Sequence, residues 1–353
     1  MKILYIAGRE AEYSRTRIVY KGLKSQGLDV RSCFPPDKRF IHYPALLWRA
    51  WRRSKGCDIV LVGFYGQLLL PIIKLITQKP IVFDMYIATY DTMIHDRKAA
   101  QDGSFKASLY KISDRLACKL SRKLVLETQD HIKDFSRKFN IPEHKFARIF
   151  LAVDNTVIYP RNKATISNEF LVHFHGEYAP FHGVKYILRA ADLLREENIR
   201  FQIIGRGITY DQDQELARDL KLHNVLFYDP VPYDKLADFM AQANVCLGIF
   251  GDNERMLRVT TNKVIEAIAM GKPLITGKNQ PVQELLTHKK NVFFVDRANS
   301  QQLADAILYL KQHPQLCDEM GKRAFNTAAQ YCTLNVIGQA FANLLWKVKN
   351  EPN

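Results

Sequence analysis

A chain of 353 residues with 47% hydrophobic and 25% charged side chains can form two domains with separate cores, and it is too apolar for a disordered polypeptide. Its six cysteines, at 33, 57, 118, 246, 317 and 332, include no C-x-x-C pair, which excludes a cysteine-based zinc site and fits buried, reduced thiols. The formal net charge of +15 lies in the first half: residues 1–165 hold 30 Lys/Arg and 15 Asp/Glu, and the remainder holds 51 − 30 = 21 basic and 36 − 15 = 21 acidic residues.

The apolar run Ile3–Ala7 is followed at once by Arg9 and Glu10, so it reads as a first strand, Lys2–Ala7, and not as a signal peptide. Ser14–Ser25 has a helical pattern that stops at Gly27, and the strand Asp29–Phe34 ends at Pro35-Pro36. A helix from Pro44 carries Trp48, Arg49, Trp51, Arg52, Arg53 and Lys55. Strands are expected at Asp58–Gly63, Pro80–Asp84 and Lys123–Glu127, with helices between them such as Ala107–Leu120. The most apolar stretch, Ile59–Ile76, is interrupted by Gly63, Gly66, Pro71 and Lys74, whereas a membrane-spanning helix needs roughly 20 apolar residues.

The polar, aperiodic segment Asp154–Asn168 reads as a linker. Beyond it a second series begins, with strands Phe170–His175, Arg200–Ile204, Asn224–Tyr228, Val245–Phe250, Pro273–Thr276 and Asn291–Val295. Its helices include Val184–Arg195, Lys235–Gln242 and Asn262–Met270. The expected fold is α/β, with two Rossmann-like βα domains, 1–163 and 164–333, facing across a cleft. The final amphipathic helix, within 334–353, is expected to pack back onto the first domain.

Chemistry concentrates in the second series. The segment 245–276 reads as strand, polar loop, helix, Gly-Lys-Pro stop and strand, with Thr260 or Thr261 as helix cap. Lys263 and Glu266 share one face of that helix, where the amino end of the helix favours an anion and Glu266 can accept bonds from sugar hydroxyls. Asn262, Phe250 and Gly251 border the same loop. Two further loops, Gly176–Gly183 with His182, and Gly205-Arg206-Gly207, follow strands of the same domain. Their glycines allow close backbone approach, and Arg206 is suited to a phosphate. No full G-x-G-x-x-G occurs, which argues against a dinucleotide oxidoreductase. Asp211-Gln212-Asp213 reads as an acidic first helical turn, and His173 and His175 as strand histidines, so no metal site is expected.

The ordered set GEYAPFHGVKYILRAADLL, IIGRG, HNVLFYDPVPYDKLADFMAQANVCLGIF, TNKVIEAIAMGKPLITG and LADAILYL resembles the C-terminal half of glycosyltransferase family 4, retaining enzymes of GT-B fold that use nucleotide-sugars. PIVFDMYIATYD, KLVLETQDHI and the Ala-Val-Asp at 152–154 extend the resemblance more loosely to the first half. The resemblance implies that Glu266, the second Glu of an E-x7-E signature, holds the donor ribose. It also implies that Gly205 and Gly207 lie beside the donor and that Val231 lies near the base. Two positions depart from the pattern. Arg258 stands where the first Glu would fall, and Glu177 and His182 stand where the family often has Arg and Lys. Lys263, Arg206 and Arg258 are therefore the candidate cations for the diphosphate. Metal-independent transfer needing no cofactor is expected, and retention follows from the family alone.

Asp84, Asp91, His95 and Arg97, which follow a first-domain strand, are expected on the acceptor side with Arg15; Asp91 is also a catalytic candidate beside Glu266 and Lys263. Trp48, Trp51, Arg52 and Arg53 suit a helix lying on an anionic membrane surface. Together these readings point to a cytoplasmic glycosyltransferase, peripheral on the inner face of the plasma membrane, acting on a lipid-linked or glycan acceptor of the cell envelope such as polysaccharide or lipopolysaccharide. An epimerase of the same fold, a non-catalytic sugar-nucleotide-binding subunit and a nucleic-acid-binding protein remain as alternatives. The last lacks a recognition motif, so no nucleic-acid partner is expected.

Overall fold

The computed structural model describes residues 1–37, 39–86, 88–96, 100–161, 169–253 and 257–351, with side chains except at positions 91, 95 and 96. These residues form two compact units, Met1–Phe150 with Leu334–Asn353, and Leu151–Thr333.

In the first unit, strands β1 (Lys2–Ile6), β2 (Asp29–Cys33), β3 (Ile59–Val62), β4 (Ile81–Asp84), β5 (Lys123–Leu126) and β6 (Phe146–Arg148) form one parallel sheet. Their order is β2-β1-β3-β4-β5-β6. Every residue of β3 and β4 is buried, which is why they read as unbroken apolar runs: helices cover both faces of a parallel sheet. The helices are α1 (Ser14–Ser25), α2 (Tyr43–Ser54), α3 (Leu70–Thr77), α4 (Phe105–Leu120) and α5 (Gln129–Phe139). Ser104 caps α4 by accepting from the Ala107 amide, and Thr128 caps α5 through the His131 amide. Strand β6 was not expected; three residues carry too little period to be seen in sequence.

The second unit repeats the architecture with β7 (Phe170–His175), β8 (Ile199–Ile204), β9 (Val225–Tyr228), β10 (Val245–Leu247), β11 (Leu274–Gly277) and β12 (Phe293–Val295), ordered β12-β11-β10-β7-β8-β9. Its helices are α6 (Val184–Leu193), α7 (Tyr210–Asp219), α8 (Tyr233–Gln242), α9 (Asn262–Ala269), α10 (Gln280–Gln283), α11 (Ser300–Gln312) and α12 (Pro314–Tyr331). Val172 and Phe174 of β7 join Ile187, Leu188, Leu303 and Ile307 in one core, so His173 and His175 project from the other face.

Two expectations change. The division falls after Phe150 and not at 163, because Leu151, Ala152, Val153 and Ile158 are buried and the Val153 amide bonds to the Cys332 carbonyl at 3.0 Å. The first part of the expected linker thus belongs to the second unit, and positions 162–168 lie outside the described residues. Strand β10 ends at Leu247, three residues earlier than expected, because the Phe250 and Gly251 amides turn to bond the carbonyls of His182 and Phe181.

The last helix, α13 (Leu334–Asn350), packs on α1 in the first unit. A Cβ on Gly338 would stand 2.0 Å from the Gly22 carbonyl oxygen, so the two backbones touch where both helices carry glycine. Lys349 pairs with Asp58 at 3.3 Å, and Arg122 donates to the Glu351 carbonyl at 2.9 Å. Gly338→Val is expected to destabilise the protein by about 2 kcal/mol or more through overpacking, read by urea denaturation. Unchanged stability would show that α13 does not need this close approach.

Candidate functional site

In an open α/β sheet, ligands bind beyond the carboxyl ends of the strands where strand order reverses. In the second unit that point lies between β7 and β10, because the chain runs outward through β8 and β9 and then returns to the other side of β7. The loops after β7, β8 and β10 meet there. A Cβ on Gly205, whose φ is +131°, would stand 2.0 Å from the Gly176 carbonyl oxygen, so only glycine permits the first two loops to touch. Gly207 lies against the Tyr178 backbone, and Gly183 against Phe250 and Gly251. The glycines, His182, Phe250 and Gly251 named from sequence are therefore one shell.

Helix α9 enters this shell from the Thr261 position, which is extended and makes no side-chain cap. The Thr261 hydroxyl is buried without a hydrogen-bond partner. Two residues on, Lys263 is 5% exposed, and Glu266, a further three residues along, is 6% exposed. The Lys263 ammonium donates to His182 Nε2 at 3.0 Å, lies 5.2 Å from the centre of the Phe174 ring and reaches over Gly176. Glu266 Oε2 accepts from His175 Nε2 at 2.9 Å. A buried cation and a buried carboxylate thus occupy the meeting point of three glycine loops, an arrangement that suits a ligand carrying both anionic oxygens and hydroxyls.

The other expected donor residues lie farther out. Arg206 is exposed, paired with Asp229 at 2.6 Å and placed over the Tyr210 ring. Val231 is half-buried on the loop after β9, and Asn262 and Arg258 are half-buried at and before the start of α9. Of the three candidate cations, Lys263 is the one in the shell. It occupies, from the helix side, the neighbourhood of the loop position filled by His182. Asp211 and Asp213 lie in the first turn of α7, where Asp213 accepts from the Thr209 hydroxyl at 2.6 Å.

Sequence reasoning read His173 and His175 only as strand histidines and passed over Gln202. The signal was present: two histidines alternate at the end of the central strand, one residue before Gly176, and Gln202 is in register with His173 on β8.

In the first unit, Arg15 and Asp84 bind each other. Both carboxylate oxygens of Asp84, which is fully buried, accept from the Arg15 guanidinium at 2.8 Å, tying α1 to the end of β4. The side chains of Asp91 and His95, and all of Arg97, lie outside the described residues. On α2, Leu46, Ala50 and Ser54 face inward, while Trp48 and Trp51 are 56% and 44% exposed. Arg52 covers the Trp48 ring, and Arg53 donates to the Ser32 carbonyl.

Burial lowers the Lys263 pKa from 10.5 to about 7, against the opposing pull of Glu266 and Glu177. Below pH 7 both the folded and the unfolded chain hold the proton, and the full cost of burying the ammonium is present. Between pH 7 and 10.5 the unfolded chain binds more protons, so stability rises with pH. Lys263→Met is therefore expected to stabilise the protein most at pH 6, with the gain shrinking towards pH 9. Thermal unfolding of both proteins at the two pH values tests this; a pH-independent difference would place the titration elsewhere.

Residues 159–327 match the family model Glycosyl transferases group 1. An uncharacterized glycosyltransferase of Haemophilus influenzae is 25% identical over 219 residues, covering 60% of this chain and 60% of that protein, so the match leaves a large part of the relative unspanned. Among solved structures, HepE of Anabaena in complex with UDP superposes with a TM-score of 0.75 at 16% identity, over 98% of this chain and 100% of its own. Sucrose-phosphate synthase of Thermosynechococcus elongatus gives a TM-score of 0.80 at 13% identity, over 99% of each chain. A glycosyltransferase of Rickettsia africae gives 0.75 at 13%, over 100% of each. At these identities the likeness establishes the fold. Residues 159–327 are thus similar to glycosyl transferases of group 1, and the two six-stranded parallel sheets are those of the GT-B architecture.

Proposed function

We propose that the protein is a glycosyltransferase whose second unit binds a nucleoside diphosphate sugar and transfers the sugar, with retention and without a metal ion, to a lipid-linked or glycan acceptor of the cell envelope. The observation that carries this reading is the burial of Lys263 and Glu266 together where the loops after β7, β8 and β10 converge. Lys263 and the uncapped first turn of α9 stabilise the diphosphate, and Glu266 accepts from the ribose hydroxyls. Neutralisation by a side chain and a helix terminus is the ground for proposing a metal-independent transfer. Gly205 and Gly207 let the donor approach the backbone. In a retaining transfer of the kind the family resemblance implies, the departing phosphate assists removal of the acceptor proton, so no protein nucleophile is needed. Arg258, where the family's first Glu would stand, alters the contact to the donor sugar.

Relatives in fold support a nucleotide-sugar ligand: HepE has been solved with UDP and with UDP-glucose, and TarM of Staphylococcus aureus with UDP and α-GlcNAc-glycerol. Thermal-shift measurements with UDP, GDP and ADP test the donor site, since a ligand that binds only the folded state raises the unfolding temperature. One nucleotide is expected to give a rise that Glu266→Ala abolishes, together with transfer activity, while the variant stays folded. A rise of equal size in the folded variant would reject Glu266 as the ribose ligand.

The acceptor reading rests on the first unit. Helices α2, α3 and α4 lie side by side and expose Trp48, Trp51, Ile72, Leu75, Phe105, Leu109, Ile112 and Leu116. On α4 these are residues i, i+4, i+7 and i+11, one continuous stripe, with Lys106, Lys111, Arg115 and Lys119 on the same helix. Among the described residues no helix is long and apolar enough to cross a membrane. Apolar side chains among cations suit the boundary of an anionic bilayer, and they keep the enzyme near a lipid-linked acceptor. Trp48→Ser with Trp51→Ser is expected to lower binding to phosphatidylglycerol vesicles about tenfold or more, with little binding of either protein to phosphatidylcholine. Cosedimentation that is unchanged by the double substitution would reject this face.

A further inference from the structure

Behind Glu266 lies a run of buried hydrogen bonds whose direction is fixed from its far end. The Gln202 amide nitrogen donates to the Phe239 carbonyl at 2.9 Å, a group that only accepts. This sets the orientation of the amide. The same nitrogen stands 3.0 Å from His173 Nδ1, so that ring nitrogen must accept. His173 is then protonated on Nε2 and donates to His175 Nδ1 at 2.9 Å. His175 in turn is protonated on Nε2 and donates to Glu266 Oε2 at 2.9 Å. All four side chains are buried, at 3% exposure for Gln202, 1% for His173, 8% for His175 and 6% for Glu266. Every junction pairs one donor with one acceptor, and reversing any one of them would set two donors or two acceptors face to face.

We propose that Gln202, His173 and His175 are positioning residues: a one-way hydrogen-bond relay, anchored on the Phe239 carbonyl, delivers an N–H to Oε2 of Glu266 and leaves Oε1 for the ribose of the donor. The proposal rests on the donor-site reading above. An added proton would break this order of bonds. An imidazolium at His175 would point Nδ1–H at His173 Nε2, forcing the proton of His173 onto Nδ1, against the Gln202 amide. Turning that amide over would set its oxygen against the Phe239 carbonyl. Burial, with His175 and Lys272 nearby, holds the His173 pKa well below the usual histidine range, in agreement with a neutral ring. The titratable and charged groups facing the relay are Glu266 and Lys263 from α9, Lys272 from the turn after it, and Cys246 on the adjoining strand, whose thiol burial pushes up to about 12. Lys272 is held by the carbonyls of Ala241 and Ala243.

Gln202→Glu tests the direction of the relay without touching a residue of the donor shell. An ionised carboxylate at 202 accepts from His173 Nδ1 and reverses that ring, so the chain of bonds closes only when His175 takes a second proton. Relative to wild type at the same pH, the variant is expected to bind UDP about tenfold more weakly at pH 8, the effect of losing one hydrogen bond to a charged group, and within about twofold at pH 6. Comparing the two proteins at each pH cancels the titrations of Lys263 and of UDP. A variant-to-wild-type ratio that is the same at both pH values overturns the proposal, because a merely structural role has no reason to follow histidine protonation. Two-bond 1H–15N correlation spectra of the 15N-histidine-labelled wild type test the relay even if the variant does not fold. Both rings are expected to carry hydrogen on Nε2 and to accept at Nδ1; an Nδ1–H at either overturns it. If both tautomers are as expected but Glu266→Gln binds UDP as tightly as wild type, the donor reading fails and the positioning role falls with it. The tautomers tell that failure apart from a failure of the relay.

Discussion

Holding a lysine ammonium and a carboxylate out of water on the first turns of one short helix is the constraint around which the second unit is arranged. A buried charge is costly unless it is paired and hydrogen-bonded. Lys263 meets that cost in part through His182 and through the fields of Glu266 and Glu177, and in part by a pKa brought down to about 7. Glu266 meets it through His175. Neither arrangement neutralises the site fully, and the Thr261 hydroxyl stays unsatisfied at the entry to α9.

The glycines serve that arrangement and not flexibility as such. The Gly205 backbone rests on the Gly176 carbonyl and the Gly183 backbone on Gly251, so the three loops brace one another. The Lys263 head group then lies over Gly176, a position that a side chain there would crowd. The first unit carries a different burden. Its buried Arg15–Asp84 pair fastens α1 to the sheet, while the apolar and basic side chains that do not fit the core are turned outward on α2, α3 and α4. The excess of positive charge read from composition is unevenly divided between the units. It lies on the unit with the exposed tryptophans, and the nearly neutral unit holds the buried site.

The fold, and the convergence of three glycine loops on one helix start, were largely legible from residue patterns. Continuous apolar runs gave the buried parallel strands, Gly27 and Gly271 marked helix ends, and the order of loops and helix around Lys263 and Glu266 pointed to the cluster that the fold brings together. What failed had physical reasons. Strand β6 is three residues long, too short for a period. Phe250 looks like strand but turns away because its amide is claimed by the His182 carbonyl. The linker was placed late because Asp154, Asn155 and Thr156 are polar, yet Asp154 is buried and bonded by Thr156, a local loop solution that composition does not reveal. Arg15 and Asp84 looked like two independent site residues because their sequence separation hides that they satisfy each other.

By itself the sequence determined the strands, the glycine loops at their ends and the helix that carries Lys263 and Glu266, because periodicity, glycine punctuation and the helix signals around residue 262 depend on local chemistry alone. Only the tertiary structure decided how those residues are charged and paired. The depressed pKa of Lys263 depends on burial beneath loops that are remote in sequence. The orientation of the His173–His175 pair depends on a carbonyl at residue 239 and an amide at 202, neither of which is near either histidine along the chain. Hydrogen-bond direction and desolvation are properties of neighbours in space, and neighbours in space are what a linear pattern leaves open.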